Sequence, residues 1–314
     1  MTIHPRPRRW RTLAAVAAVG ALALAGCSDN GSDDVSSGGS DGGGDAASSE
    51  TIRISSQDFS EQKTLAQVYG QYLEAQGFTV DIQDAIGTRT QIYAALADDK
   101  VDLVLDYQGS AVVELGGTAT GDADETHETL VTLLEEKDLV AGARSEAANA
   151  NALVALTSWA EENGVTTISD LADVEGTLTL GGAPECAERP DCLVGYTGDP
   201  YGLTLEFKAV DYGPPLVAAL EANEIQLAQY GTTAPEISEG TVVVLEDDLE
   251  LQSAENVVPV LRSAVDSDDL REALDTLSAA ITSDDLSAWN QATDVDKDDP
   301  ADVAQAWLEE QGLL

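Results

Sequence analysis

Residues Ala94–Ser110 read AALADDKVDLVLDYQGS, and Ala218–Thr233 read AALEANEIQLAQYGTT. Each runs from a helix end through a polar turn into a short strand, then reaches a tyrosine followed closely by a hydroxyl side chain. Apolar spacing that switches from a helical to an extended period marks an α/β unit. The repetition places Tyr107 and Tyr230 in equivalent positions. Ligands of open α/β sheets bind beyond the carboxyl ends of the strands. Two such units, each presenting a tyrosine and a hydroxyl there, are placed to close on one small ligand. A chance likeness between two α/β hairpins is the competing reading.

The pattern extends outward from both copies. Thr51–Ser55 alternates as a strand. Ser60 is then the expected cap of a helix with Leu65, Val68, Tyr69, Tyr72 and Leu73 on one face. Gly77 ends it, Phe78–Ile82 is the next strand, and Thr88 or Thr90 opens a helix with Ile92, Tyr93 and Leu96 inward. Val101–Leu105 is a third strand. Asn151–Ser158, Thr177–Leu180, Phe207–Val210, Ile225–Ala228, Thr241–Leu245 and Val257–Leu261 continue the strands, with helices near Trp159–Asn163 and Leu216–Leu220. Leu270, Leu274, Leu277 and Ile281 mark one C-terminal helix, and Val303, Trp307 and Leu308 another. The alternation predicts an α/β fold with largely parallel sheet covered on both faces.

Ahead of this lies a leader. Arg6, Arg8, Arg9 and Arg11 precede the apolar run Leu13–Leu24, too short to span a bilayer and suited to a signal peptide. Leu24-Ala25-Gly26-Cys27 has the form of a lipobox, so residues 1–27 are expected to be a lipoprotein signal with Cys27 as the lipidated residue. An ordinary signal peptide with an incidental cysteine is the alternative. Arg8-Arg9 leaves Sec and Tat export both open. Residues 28–50, rich in Gly, Ser and Asp, read as a flexible tether. The chain holds 58 acids against 15 Lys and Arg, a formal net charge of −43. Such a surface repels nucleic acid and anionic lipid; a solvated acidic surface suited to a saline habitat is the expected reason, and an acidic site for a basic partner is the alternative.

Within ECAERPDC (Glu185–Cys192), Cys186 and Cys192 form an even pair once Cys27 is used. Their spacing is neither that of a zinc knuckle nor that of a C-x-x-C redox motif. A structural disulfide is expected, because such bonds persist outside the cytoplasm. It would stiffen the turn carrying Arg189. No hydrolase, P-loop, zincin or dinucleotide motif is present. His127 has no nucleophile near it in sequence, and the acidic runs Asp266–Asp269 and Asp294–Asp299 lack EF-hand spacing. No enzyme activity, cofactor or metal is expected. Tyrosines on loops and an arginine on a stapled turn suit a zwitterion instead, ring faces taking a quaternary ammonium and the guanidinium a carboxylate. Tyr69, Tyr72 and Tyr93 are assigned to the core.

The segments SSQDFSEQ (Ser55–Gln62), DYQGS (Asp106–Ser110), LGGAPECAERPDC (Leu180–Cys192), VVVLEDD (Val242–Asp248) and SAENVVPVLR (Ser253–Arg262), with the C-terminal DPADVAQAWLEEQGLL, carry a resemblance. The chain resembles the substrate-binding proteins of osmoprotectant ABC importers, the glycine betaine/choline/carnitine type. The resemblance implies a type II periplasmic-binding-protein-like fold of two α/β lobes with two crossover segments. Residues 51–148 and 256–314 would form the first lobe and 149–255 the second. It further implies a monomer outside the cytoplasm serving a permease and its ATPase; with the lipobox, it is expected at the outer face of the cytoplasmic membrane, held by its lipid anchor. A receptor that signals to a membrane partner without transport is the alternative.

The resemblance also implies ligand contacts. Tyr107 matches a cage tyrosine and Ser110 the closing threonine of the family's E-Y-T-G-T motif. Gln57 sits at a polar contact of the first loop, Arg189 matches the arginine of E-R-P-D, and Tyr230 matches a second-lobe cage tyrosine. Asn151 and Glu255 stand where the family places two further aromatics. A glutamate attracts an ammonium by charge and opposes a nearby ligand carboxylate. Weak betaine binding and a different compatible solute are therefore both open, and Tyr196, Tyr201 and Tyr212 are candidates for the missing walls.

Overall fold

The computed structural model describes residues 51–314; the leader, Cys27 and the tether lie outside the described residues. Strands β1 (Ile52–Ile54), β2 (Val80–Ile82), β3 (Leu103–Tyr107) and β4 (Leu139–Ala141) come first. They are followed by β5 (Asn151–Leu156), β6 (Leu178–Gly182), β7 (Leu205–Ala209), β8 (Leu227–Gly231) and β9 (Val242–Val244). The chain then returns through β10 (Val257–Arg262). Two five-stranded sheets result, ordered β2-β1-β3-β10-β4 and β7-β6-β8-β5-β9. The fold is α/β, and the two sheets have one plan. In each, a strand pairs in parallel with the edge strand and with the central strand, and the strand beyond the centre runs antiparallel to both its neighbours.

The two central strands are β3 and β8, those of Ala94–Ser110 and Ala218–Thr233. The expectation of largely parallel sheet is corrected here: half the pairings in each sheet are antiparallel. The reason is the crossing. β5 and β10 enter their sheets directly from the crossing segments instead of returning through a helix, and a strand without a helical crossover comes in opposed. The crossing segments lie side by side. Ala148 and Asn256 form an antiparallel bridge, Asn149 N donates to Glu255 O at 3.1 Å, and Val257 N to Ala147 O at 2.9 Å.

Alternation along the strands buries both faces of each sheet. Leu103, Leu105, Val257 and Leu261 pack with Leu65, Val68, Tyr69 and Leu73 of helix α1 (Ser60–Ala75) and with the C-terminal helices. Val104, Val258 and Val260 face Ile92 and Leu96 of helix α2 (Arg89–Ala97), together with Leu130 and Leu134. In the second sheet, Leu153 and Ala155 face one cluster and Ala152 and Val154 another. Tyr69, Tyr72 and Tyr93 are buried, as assigned. Thr88 caps α2 with a reciprocal bond from Gln91. Ser60 does not cap α1: it is the first helical residue, and its hydroxyl donates to Asp294 Oδ1 at 2.5 Å. Several helices escape the sequence reading, among them Gln108–Glu114, Ala123–Glu135 and Ser283–Asn290. No helix among the described residues is long and apolar enough to cross a membrane.

Candidate functional site

A cavity of about 520 Å³ opens where the two central strands end. Its walls come from the start of α1, the turn after β3, both crossing segments, the turn after β8 and the C-terminal region near Asn290. Tyr107 and Tyr230 close β3 and β8. Three residues on, Ser110 and Thr233 present their hydroxyls to the cavity. The repeated unit therefore delivers one hydroxyl from each sheet to the same space.

Glu61 lies at the base and is buried. Its carboxylate accepts from the Tyr107 hydroxyl, from Asn149 Nδ2 at 2.9 Å, from Thr233 Oγ1 at 2.7 Å and from Asn290 Nδ2 at 2.5 Å. Those donors belong to β3, a crossing segment, the turn after β8 and a C-terminal helix. Burial, and then the Glu61 charge, push the Tyr107 hydroxyl well above the usual tyrosine range, so it stays protonated and donates.

Ser110, in helix α3 (Gln108–Glu114), holds Glu255. The Ser110 backbone N–H and hydroxyl donate to the two Glu255 oxygens at 3.0 and 2.9 Å, and Ser253 adds a bond of 3.1 Å. Burial raises the Glu255 carboxyl above the usual range, and the Ser110 bonds oppose that rise. The approach of α3 to this segment requires Gly109. A Cβ there would lie 2.7 Å from Ser253 Oγ and 2.8 Å from the Ala254 carbonyl. Gly109→Ala should cost about 2 kcal/mol through overpacking, read as a fall in Tm of about 6 °C. An unchanged melting temperature would refute the close approach.

On the opposite wall, Arg189 donates through Nε to Asp191 Oδ1 at 2.9 Å and through Nη2 to Asp191 Oδ2. Asn151 Nδ2 joins the same Asp191 at 2.8 Å. Cys186 and Cys192 are bonded, and both are buried. Behind the Ser110 wall, Arg89 Nε contacts both Asp106 oxygens at 2.9 and 3.1 Å. Two exposed aromatics complete the lining, Phe59 and Tyr212.

The model of the substrate-binding domain of the ABC-type glycine betaine transport system matches residues 50–310. The chain belongs to this family. It is a substrate-binding protein of the glycine betaine type of ABC transporter. A glycine-betaine-binding protein of Pseudomonas aeruginosa is 28% identical over 283 residues, covering 85% of this chain and 90% of that one. A glycine betaine/carnitine/choline ABC transporter structure aligns with a TM-score of 0.76 at 19% identity, covering 83% of this chain and 99% of that chain. Lactococcal OpuAC, in its closed-liganded conformation with glycine betaine, aligns with a TM-score of 0.57 at 12% identity, covering 84% and 96%. At such identities these structures establish the shared fold.

Set in the family's fold, the expected contacts divide. Ser110, Asn151, Arg189 and Glu255 line the cavity together. Tyr107, Tyr230 and Gln57 do not line it. Tyr107 is buried and turned to Glu61. Tyr230 is 1% exposed, donates to the Gly213 carbonyl at 2.7 Å and packs against Tyr212 at 5.1 Å between ring centroids. Gln57 reaches Asp106 at 3.4 Å. Of the three spare tyrosines, Tyr212 lines the cavity, while Tyr196 is buried beside Gln229 and Tyr201 bonds Asp247. The sequence reading missed Glu61, Asn149, Asn290 and Asp294. For Glu61 a signal existed: it shares the i, i+4 spacing of Leu65 and Tyr69, so it is an acid at a core position of α1.

Proposed function

We propose that the chain is an extracytoplasmic solute-binding protein, lipid-anchored through Cys27, that serves an ABC importer. It takes a quaternary ammonium or related compatible solute, such as glycine betaine, choline or carnitine, by lobe closure and hands it to the permease for osmoprotection. Residues 51–148 and 256–314 act as one lobe and 149–255 as the other. One observation carries the reading: a single cavity draws Ser110 from beside the first sheet, Asn149 and Glu255 from the paired crossing segments, and Asn151, Arg189 and Thr233 from the second sheet. Phe59 and Tyr212 are the ring faces available to the ammonium head. In this reading Tyr107 and Tyr230 position the wall, through Glu61 and Tyr212, instead of touching the ligand.

Titration calorimetry with glycine betaine, choline, carnitine, ectoine and proline tests it. Saturable heat with at least one ligand bearing a quaternary ammonium is the expected result, and it should vanish on blocking the cavity with Thr233→Trp. Silence with all five would overturn the ligand class.

A further inference from the structure

Three carboxylates line the cavity: Glu61, Glu255 and Asp294. Each is held by neutral donors. The Glu61 carboxylate has a tyrosine, a threonine and two asparagines; that of Glu255 has two serines and a backbone N–H; that of Asp294 has the Ser60 hydroxyl, while Lys297 Nζ bonds the Asp294 backbone carbonyl. Among the ion pairs of the described residues, none involves any of the three. The two guanidiniums at the walls are already committed. Arg189 forks onto Asp191, and Arg89, which also feels the Glu255 charge, is bound to Asp106. Asn290 adds an acceptor of its own. It is 6% exposed and lines the cavity, its Nδ2 is spent on Glu61 and Thr233, and its Oδ1 has no partner.

We propose that this site selects for net positive charge, preferring an alkylammonium that carries no carboxylate, such as choline, over a zwitterion such as glycine betaine, with Glu255 as the residue that sets the preference. The inference rests on the reading of the cavity as a quaternary-ammonium site. Choline and glycine betaine share the trimethylammonium head and differ where one has a hydroxymethyl and the other a carboxylate. The head gains from the three carboxylates in both cases. The betaine carboxylate must then sit near the buried charges of Glu61 and Glu255, where like charges are poorly screened. Its one cationic partner in the lining, Arg189, already presents its Nε–Nη2 edge to Asp191, so the bidentate grip that would offset the repulsion is taken. The choline hydroxyl carries no such penalty and can donate to Glu255 or to Asn290 Oδ1.

Calorimetry on the wild-type protein with choline and with glycine betaine, repeated on Glu255→Gln and on Asp294→Asn, tests the proposal. Choline should bind tighter than glycine betaine by about tenfold or more. Glu255→Gln should narrow that ratio, mainly by weakening choline. Asp294 is exposed, so Asp294→Asn gives a folded comparison even if Glu255→Gln is unstable, and it should narrow the ratio in the same direction. Glycine betaine binding as tightly as choline to the wild type would overturn the charge selectivity and leave the quaternary-ammonium reading standing. Failure of both ligands to bind would overturn that reading and the selectivity with it. A wild-type preference left unchanged in a folded Glu255→Gln protein would remove Glu255 from the role.

Discussion

Glu61→Ala is expected to lower the melting temperature by about 10 °C, the largest loss from any single substitution at the site. The Glu61 carboxylate collects four buried or half-buried donors, of which Asn290 Nδ2 also reaches Thr233. Tyr107 points at it from the end of β3, Thr233 from beyond β8, and Asn149 and Asn290 from a crossing segment and a C-terminal helix. An orphaned buried donor costs about 1–3 kcal/mol. Water from the adjoining cavity would satisfy some of them, so a total of about 4 kcal/mol is expected, short of the full sum. Glu61→Gln should lose about half as much, because it keeps the shape and two acceptor lone pairs but turns an amide N–H toward other donors. Differential scanning calorimetry of the three proteins without ligand measures this. Wild-type melting of Glu61→Ala would mean that the four donors find other partners. Thr233 belongs to the second sheet's side and Tyr107 to the first, so the same substitution should also loosen the tie between them.

Asp102→Ala is the second large effect, about 3 kcal/mol. Asp102 precedes β3 with its side chain only 2% exposed. It takes the Arg53 backbone N–H at 3.0 Å, Arg53 Nε at 2.6 Å and Nη2 at 2.7 Å, and Arg262 Nη1 at 2.8 Å. It thereby ties β1 and β10 across the central strand, and its removal takes the shared carboxylate from both guanidiniums, leaving Asp99 as their common contact. Burial alone would raise its carboxyl, but the hydrogen bonds from Arg53 and then Arg262 outweigh burial and hold it below its ordinary value of 3.8. The sign follows. A carboxyl with a folded pKa below its unfolded one contributes stability above the unfolded value, and that contribution is lost as pH falls through the folded value. Urea melts of wild type and Asp102→Asn should therefore differ at neutral pH and converge as the pH drops below 3.8. A difference that persists undiminished to about pH 2 would refute the ion-pair account.

Much of the architecture was legible because it is written in local periods. The switch from helical to extended spacing in Ala94–Ser110 and Ala218–Thr233 located β3 and β8, and the likeness between them corresponds to equivalent central strands in two sheets of one plan. The core tyrosines of α1 and α2 were readable from spacing alone. The direction of β5 and β10 was not. A strand's own residues alternate identically whether its neighbour runs with it or against it, and only the route of the crossing segments sets the direction. Ser110, Asn151, Arg189 and Glu255, which line the cavity, stand at motif positions legible in the sequence, whereas Asn290 meets Glu61 across 229 residues, a distance no motif spans.

ECAERPDC shows the division within one turn. Its cysteines could be paired from compartment and spacing, and they are bonded in the structure. What its arginine faces could not be read, because the answer lies in the angle of a fork that closes on Asp191 two residues on. By itself the sequence determined the α/β class, the two repeated units and the staple, since each depends on residues near one another along the chain. The tertiary structure decided which tyrosines withdraw behind the wall, and which carboxylates gather around the cavity with neutral hydrogen-bond donors on their oxygens. Those outcomes depend on side chains brought together from eight separate segments, where desolvation and competing hydrogen bonds set each group's facing and charge.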